Sequence, residues 1–595
     1  MTPPSQPTPA ATAPVGSTDL TYPAPTLVEL LQLRAATEPD RTAYTVLVDG
    51  DDDAVSMTYG ALDRRARAIA AHIQQMCEPG ERILLPLPTS LEYVSAFFGC
   101  LYAGTIAVPA YPPRRNQSLD RIESMVADAQ PVAALTGGAS AAPLADLGSS
   151  GALRLVPLEE IDDGAAPTWT PPQVGPETVA FLQYTSGSTR TPRGVMVSHR
   201  NVLANATISA QMFELGPDDV GATWLPLYHD FGLVGGVLQP LCTGFPVVLL
   251  SPMAFLHRPI RWLRAVSRYR ATLSGSPPFA LDLCATRGLP DPGEHLDLSS
   301  WKSLALGGEP IRPDTLDRFV QAFEPHGFRR ETLCPGYGLA EATLFFSATA
   351  PAALPTQVTV DASALERHRV EAVATPDATG KTFSGCGRPM AGQRLAIVDP
   401  DTCLPRGPDE VGEVWVAGPS IAQGYWGQPA ESAAVFGARL PGDDRAYLRT
   451  GDLGFVRNGE LHISGRLKDL AIVRGRNHYP QDIEWTAQQS HPALANGAGA
   501  AFSVERDGEE RLVVVHEVGR TWLDGATSEV VRAIRRAVAA HHDVEIDEVV
   551  LLYPSTLPRT SSGKVRRRAT ADALQAGTLR RWTGPVARAA GASRA

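Results

Sequence analysis

Five Ser and Thr residues crowd one short stretch, Tyr184-Thr185-Ser186-Gly187-Ser188-Thr189-Arg190-Thr191-Pro192-Arg193-Gly194-Val195. Hydroxyls and backbone N–H groups converging on one point are what a polyphosphate needs, and Gly187 and Gly194 give the chain room to bend. Val179 to Gln183 ahead of the stretch reads as a strand, and Asn201 to Met212 behind it as a helix. The Gly-x4-Gly-Lys-Ser/Thr spacing of a Walker loop is not met. On composition alone, a Ser/Thr-rich surface loop fits equally well. Other chemistries find less support. The seven cysteines are odd in number, form no C-x-x-C pair and accompany no His/Asp constellation of a thiol enzyme.

Six more segments follow in order: Trp224-Leu225-Pro226-Leu227-Tyr228-His229-Asp230, Gly307-Gly308-Glu309-Pro310, Pro335-Gly336-Tyr337-Gly338-Leu339-Ala340-Glu341-Ala342-Thr343, Thr450-Gly451-Asp452-Leu453-Gly454, Gly465-Arg466-Leu467-Lys468-Asp469 and Pro558-Arg559-Thr560-Ser561-Ser562-Gly563-Lys564. Together with the loop they resemble the core motifs of the adenylate-forming superfamily, which contains acyl-CoA synthetases, peptide-synthetase adenylation domains and luciferases. The family pattern usually has Gly and Lys where this chain has Arg190 and Arg193. A cation at 193 keeps the charge match to phosphate, and losing the glycine costs loop freedom.

The resemblance implies a nucleotide site. Thr185, Ser186, Gly187, Ser188, Thr189 and Arg193 would hold the phosphates of ATP. Gly308, Glu309 and Pro310 would form a turn packed on adenine, and Gly336, Tyr337, Gly338 and Leu339 would complete it, with Tyr337 stacked on the purine. Glu341, assisted by Thr185, would hold Mg²⁺, a hard cation bound through oxygen. Asp452 would accept hydrogen bonds from the ribose diol, and Arg466 would reach the nucleotide. His229 would border the carboxylate substrate, and Lys468 would be the hinge of the small domain. Lys564 would stand between carboxylate and α-phosphate, where its charge offsets the pentacovalent transition state.

Within the superfamily the chain resembles the fatty acyl-AMP ligases more than the acyl-CoA synthetases. Three strings carry this: Val108-Pro109-Ala110-Tyr111-Pro112-Pro113, the Ser-Thr-Arg-Thr-Pro-Arg-Gly loop, and Val473-Arg474-Gly475-Arg476-Asn477-His478-Tyr479-Pro480-Gln481-Asp482-Ile483-Glu484. The gap from Glu341 to Gly387 is also longer than its counterpart in acyl-CoA synthetases. The extra residues fall near 356–374, where Gln357 to Val360 reads as strand and Ala362 to Glu366 as a short helix. This resembles the insertion with which acyl-AMP ligases restrain their C-terminal domain and disfavour the CoA reaction. A tolerated surface loop is the other reading of the same length.

The implied reaction joins a medium- or long-chain fatty acid to ATP, releasing pyrophosphate, and then loads the acyl group on the phosphopantetheine thiol of an acyl carrier protein, expected on a separate chain. Such loading serves polyketide, lipopeptide or lipid biosynthesis. Met212, Phe231 and Phe279 are the candidates for the acyl pocket. The alternatives are a fatty acyl-CoA synthetase, an amino-acid-activating domain and, from another class, a non-catalytic nucleotide-binding scaffold.

These residues need a scaffold, and the pattern supplies one. Thr26 to Thr37, Thr58 to Gln75, Ser90 to Ala103 and Arg121 to Ala129 have helical periodicity. Ala43 to Val48, Arg82 to Leu87, Ile106 to Pro109 and Val132 to Thr136 alternate with them as strands. That alternation predicts an α/β fold with a largely parallel sheet covered on both faces. Beyond Gly465–Asp469 a fresh α+β unit begins, with strands at Val513 to Val518 and Glu548 to Leu552 and a helix at Ser528 to His541. The expected division is a disordered leader (1–25), a large layered ATP- and acyl-binding domain (26–465, carrying the 356–374 insertion), a small domain moving at a hinge (466–584) and a frayed tail (585–595).

Composition fits this division. The chain has 595 residues, 44% hydrophobic and 20% charged, with 53 glycines and 51 prolines. That falls short of the ~25–30% Gly and Pro of low-complexity chains. A net charge of −11 leaves no basic field for nucleic acid. Two uncharged stretches, Tyr93 to Pro113 and Phe231 to Leu256, are interrupted by Gly and Pro. They read as buried helix-then-strand units rather than membrane spans. With no secretory signal and an odd number of cysteines that form no C-x-x-C pair, a cytoplasmic setting is expected.

Overall fold

A computed structural model describes residues 24–113, 119–137, 141–145, 153–185, 192–373, 380–473, 476–495, 497–506, 509–560 and 563–584. Among these residues the large domain is built on two predominantly parallel sheets, where the sequence pattern suggested one. The six-stranded sheet runs Arg154–Pro157, Ala133–Thr136, Arg82–Leu85, Ile106–Pro109, Val179–Tyr184 and Gly194–Ser198, with the last strand antiparallel. The nine-stranded sheet runs Arg388–Pro389, Phe345–Ala348, Leu333–Gly338, Ser303–Leu306, Leu273–Ser276, Gly221–Thr223, Val247–Leu250, Thr42–Leu47 and Ala54–Thr58.

The charge-free stretches explain how the two sheets join. Ser90 caps the helix Leu91–Tyr102 by accepting the Tyr93 N–H at 3.1 Å. Glu92 apart, every residue of that helix is buried, as expected of a helix apolar on all sides. Phe97 packs edge-on to Phe181 of the six-stranded sheet, and the same apolar cluster takes in Leu249 and Leu250 of the nine-stranded one. The second stretch forms Asp230–Leu233, a wide π turn at Val234–Leu238, Gln239–Thr243 and the strand Val247–Leu250. No described helix is long and apolar enough to cross a membrane.

A third, antiparallel sheet (Arg394–Val398, Gly412–Ala417, Leu448–Arg457, Glu460–Arg466) leads into the turn Leu467–Asp469. The small domain follows. Its sheet, Gly499–Arg506, Glu509–Glu517 and Ile546–Leu552, buries both faces by strict alternation. Leu512 and Val514 pack with Ile483, Ile534 and Val538, whereas Val513 and Val515 pack with Phe502 and Leu574.

The inserted segment forms its own hairpin. Gln357–Asp361 pairs in register with Gly380–Ser384, and Asp361 caps the helix Ala362–Glu366 through the Ala364 N–H at 2.7 Å. Val360, Leu365, Val370 and Phe383 share an apolar cluster with Leu453 and Phe455 of the large domain and Tyr479 of the small one.

Candidate active site

The two glycine-rich motifs meet because their strands are neighbours. Leu306 pairs in parallel with Pro335, so Gly307-Gly308 leave the sheet beside Gly336-Tyr337-Gly338, which continue their strand against Phe345–Ala348. Open α/β sheets bind ligands at their carboxyl edge. Gly308 has φ +82°, and a Cβ on Gly338 would fall 1.9 Å from the Leu344 carbonyl oxygen, so neither position accepts a side chain without strain. Gly308 and Pro310 are exposed. The Glu309 carboxyl sits beneath them, pushed up by burial and held back by the Lys564 charge and the Phe279 backbone N–H.

Lys564 comes to this edge from the small domain. Thr560 N–H donates to the Lys564 carbonyl at 2.7 Å, Lys564 N–H donates to Thr560 Oγ1 at 3.0 Å, and Gly563 turns the chain with φ +89°. The turn is anchored by buried Glu517, which accepts from Leu557 N–H at 2.8 Å and from Arg559 at 2.6 Å. A Cβ on Gly308 would lie 3.7 Å from Lys564 Nζ. Burial lowers the Lys564 pKa, opposed by Glu309, Asp230 and Asp452, while Arg466 adds to the lowering.

His229 caps the short helix Asp230–Leu233. Its Nδ1 lies 2.6 Å from Asp230 Oδ1 and 3.3 Å from the Phe231 backbone nitrogen. Burial pushes Asp230 up, but His229 and Lys564 outweigh it and hold the carboxyl below its usual range.

Asp452 lies opposite Arg466 in the antiparallel ladder. Arg466 Nε donates to Asp452 Oδ1 at 2.9 Å, and Tyr337 Oη donates to Oδ2 at 2.7 Å. Both carboxylate oxygens are therefore directed from below. The Tyr337 ring is buried beside Phe346, Val414 and Val416.

Glu341 is set by a residue that the sequence reading missed. Tyr425 Oη donates to Glu341 Oε1 at 2.9 Å, and Ala422 N–H donates to the Glu341 carbonyl at 2.9 Å. Burial raises the Glu341 pKa, moderated by its backbone, Tyr425 and Arg466. The Arg193 guanidinium lies 5.3 Å from the Tyr425 ring centre and 2.6 Å from Glu431. Thr185 N–H donates to the Arg193 carbonyl at 3.3 Å. Ser186, Gly187, Ser188 and Thr189 lie outside the described residues. Lys468 is exposed on the turn between the domains, and its neighbour Asp469 pairs with Arg567 at 2.8 Å.

Behind the edge runs an apolar slot between the helix His199–Met212, the segment Phe231–Pro240 and the nine-stranded sheet. Phe231 lines it: a Cβ on Gly275 would fall 2.5 Å from the Phe231 ring. Phe213 and Phe345 line it as well, in edge contact at 5.5 Å. Met212 and Phe279 are not among its walls. Met212 is half-buried against the main apolar cluster, and Phe279 packs edge-on to Trp224 at 6.0 Å.

The insertion touches the small domain near its entry. Glu366 accepts from Arg476 Nε at 2.8 Å, and its carbonyl accepts from Asn477 Nδ2 at 2.9 Å. Lys381 pairs with Asp482 and lies 4.2 Å from the Tyr479 ring centre. Arg312 stacks 4.4 Å from Trp485 and donates to the Gln481 carbonyl at 3.0 Å.

Comparison with known proteins places this geometry. Residues 31–426 match the AMP-binding enzyme family, and residues 468–582 match the AMP domain described as Disco-interacting protein 2-like. The medium-chain-fatty-acid acyl-carrier-protein ligase JamA of Moorena producens is 43% identical, covering 94% of this chain and 97% of its own. The long-chain-fatty-acid AMP ligase FadD32 of Mycolicibacterium smegmatis is 37% identical over 91% of this chain and 93% of its own. A fatty acyl-adenylate ligase from Legionella pneumophila, solved with acyl adenylate and pyrophosphate, is 38% identical with a TM-score of 0.73, covering 93% of this chain and 96% of its own. The chain is an AMP-forming ligase and belongs to the fatty acyl-AMP ligases of the adenylate-forming superfamily.

Proposed function

We propose that the protein activates a medium- or long-chain fatty acid with ATP and loads it on the phosphopantetheine thiol of an acyl carrier protein, itself a separate chain. A carboxylate oxygen attacks the α-phosphorus, the bond to the bridging oxygen breaks, and pyrophosphate leaves. The carrier thiolate then attacks the acyl carbonyl and AMP departs. Domains at 26–465 and 466–584, pivoting at Lys468, suit these two steps. The reaction is assigned to the reducing cytoplasm, supported by seven cysteines of which none is paired.

The observation that carries the reading is the approach of Lys564 to Gly308 and Glu309 across the domain boundary. It puts a partly desolvated ammonium where charge develops on the α-phosphate, and a preorganised charge in such a site is worth far more than in water. Asp452, with both oxygens pre-directed, suits a ribose diol, and Arg466 and Lys564 supply the positive field that a triphosphate needs. His229, held at the edge by its contact with Asp230, suits a place beside the carboxylate.

Glu341 fits Mg²⁺, which is bound through one or two carboxylates together with substrate phosphates. Glu341 would hold it with Thr185. Bound there, the cation would neutralise charge on the departing pyrophosphate.

The contacts from Glu366 and Lys381 to the small domain favour carrier protein over CoA as acceptor, because they tie the small domain to the large one. ATP–pyrophosphate exchange across a panel of fatty acids tests the first half. Exchange with no fatty acid would overturn it.

A further inference from the structure

Ser209 stands out in the acyl slot. It sits in the helix His199–Met212, lines the slot and is 4% exposed, yet its Oγ has no hydrogen-bond partner. Its neighbours fix its direction: Phe213, one turn on, lines the same slot, and Gln239, another wall residue, donates to the Ala206 carbonyl at 3.0 Å. A hydroxyl inside a helix ordinarily returns to the carbonyl one turn back. Thr207 in the same helix does so, donating to the Leu203 carbonyl at 3.0 Å. Ser209 does not.

Three other polar walls are bonded. Ser274 Oγ donates to the Ala222 carbonyl and accepts from Trp262 Nε1, Thr223 Oγ1 accepts from Leu225 N–H, and Gln239 Nε2 is shared by Ala206 and Thr243. One turn behind Ser209, Asn205 Oδ1 is also buried without a partner. Its amide cannot be reversed without losing the bonds from Nδ2 to the Phe345 and Ala342 carbonyls. One face of the helix thus holds a donor–acceptor and an acceptor with nothing to bond.

We propose that this slot takes a fatty acid bearing a hydroxyl group on its chain, recognised by Ser209 Oγ. This rests on the fatty-acid reading above and narrows its substrate class. A buried polar group left unpaired is costly, so a chain that supplies the missing partner is favoured over one that does not.

The test is ATP–pyrophosphate exchange with the full-length protein, using saturated acids and their monohydroxy counterparts substituted at successive carbons, for wild type and Ser209→Ala. The expected result is one hydroxyl position at which kcat/KM exceeds that of the parent acid by roughly tenfold, with that ratio falling to about one in Ser209→Ala. No favoured position, or a preference that survives Ser209→Ala, overturns the assignment. The plain acids separate the two failures. Turnover of plain acids with no gain from a hydroxyl rejects the Ser209 role alone, whereas turnover of no acid rejects the fatty-acid reading and this inference with it.

Discussion

Lys564 and Gly308 approach across the domain boundary so closely that a Cβ on the glycine would lie 3.7 Å from the lysine Nζ. The two residues are far apart in the chain, and only the docked small domain brings them together. Lys564→Ala is expected to lower adenylation by roughly 10²–10³-fold, the scale of losing a preorganised charge at a developing anion. ATP binding should be largely retained, because Arg466 and Asp452 remain. Exchange kinetics with an ATP-binding isotherm checks both, and equal activity in the variant would refute the role.

The same lysine sets a pH dependence. Burial lowers its pKa, so its charge is lost at a lower pH than that of an exposed lysine. Adenylation should therefore fall on the alkaline side as pH rises through the depressed value. Glu309 is the strongest group opposing that depression. Glu309→Gln should move the alkaline limb to lower pH, and a limb that stays in place would exclude the pairing.

Tyr337 and Arg466 each bond one oxygen of Asp452. Asp452→Asn loses the charge-assisted bond to Arg466, worth about 1.5–3 kcal/mol, and one acceptor for the ribose. The KM for ATP should rise about tenfold or more. The KM for the fatty acid, which does not involve Asp452, should change far less.

Glu366 in the insertion and Lys381 on the strand paired with it hold the small domain. Removing residues 356–374 outright would also uncover Leu453 and Phe455. The paired variant Glu366→Ala, Lys381→Ala is therefore the cleaner probe. Transfer of the acyl group to CoA should rise several-fold, and the melting temperature should fall as well, since Glu366, Lys381 and Asp482 are largely buried and breaking a buried pair costs more than breaking an exposed one. An unchanged CoA rate would remove the argument that these contacts select the acceptor.

Gly275 lies against Phe231 in the slot. Gly275→Val should force the ring away or fill the cavity, and acids that reach past it should lose more activity than short ones. A chain-length series in pyrophosphate release reads this directly, with equal loss at all lengths as the contrary result.

What was legible in the sequence follows from how local each feature is. The strand Ile106–Pro109 and the helices Leu91–Tyr102 and Ala362–Glu366 follow from hydrophobic pattern and caps within a dozen residues. The division of strands into two sheets does not, because pairings such as Tyr44 with Val247 are set by packing across the chain. Tyr425 was invisible for the same reason: nothing near it in sequence points to Glu341. Phe231 and Phe213 line the slot, whereas Met212, one residue or about 100° around a helix from Phe213, does not. The π turn at Val234–Leu238 depends on the close approach of Gly236 to Thr223 and Gly235 to Leu344, which no local pattern reveals.

Which thiol accepts the acyl group can be measured directly. Protein, ATP and dodecanoic acid are mixed with either CoA or a phosphopantetheine-bearing acyl carrier protein, and the products are weighed by mass spectrometry. Acyl-adenylate and acyl-carrier protein, with little acyl-CoA, is the outcome expected here. Acyl-CoA formed as fast as acyl-carrier protein would contradict it.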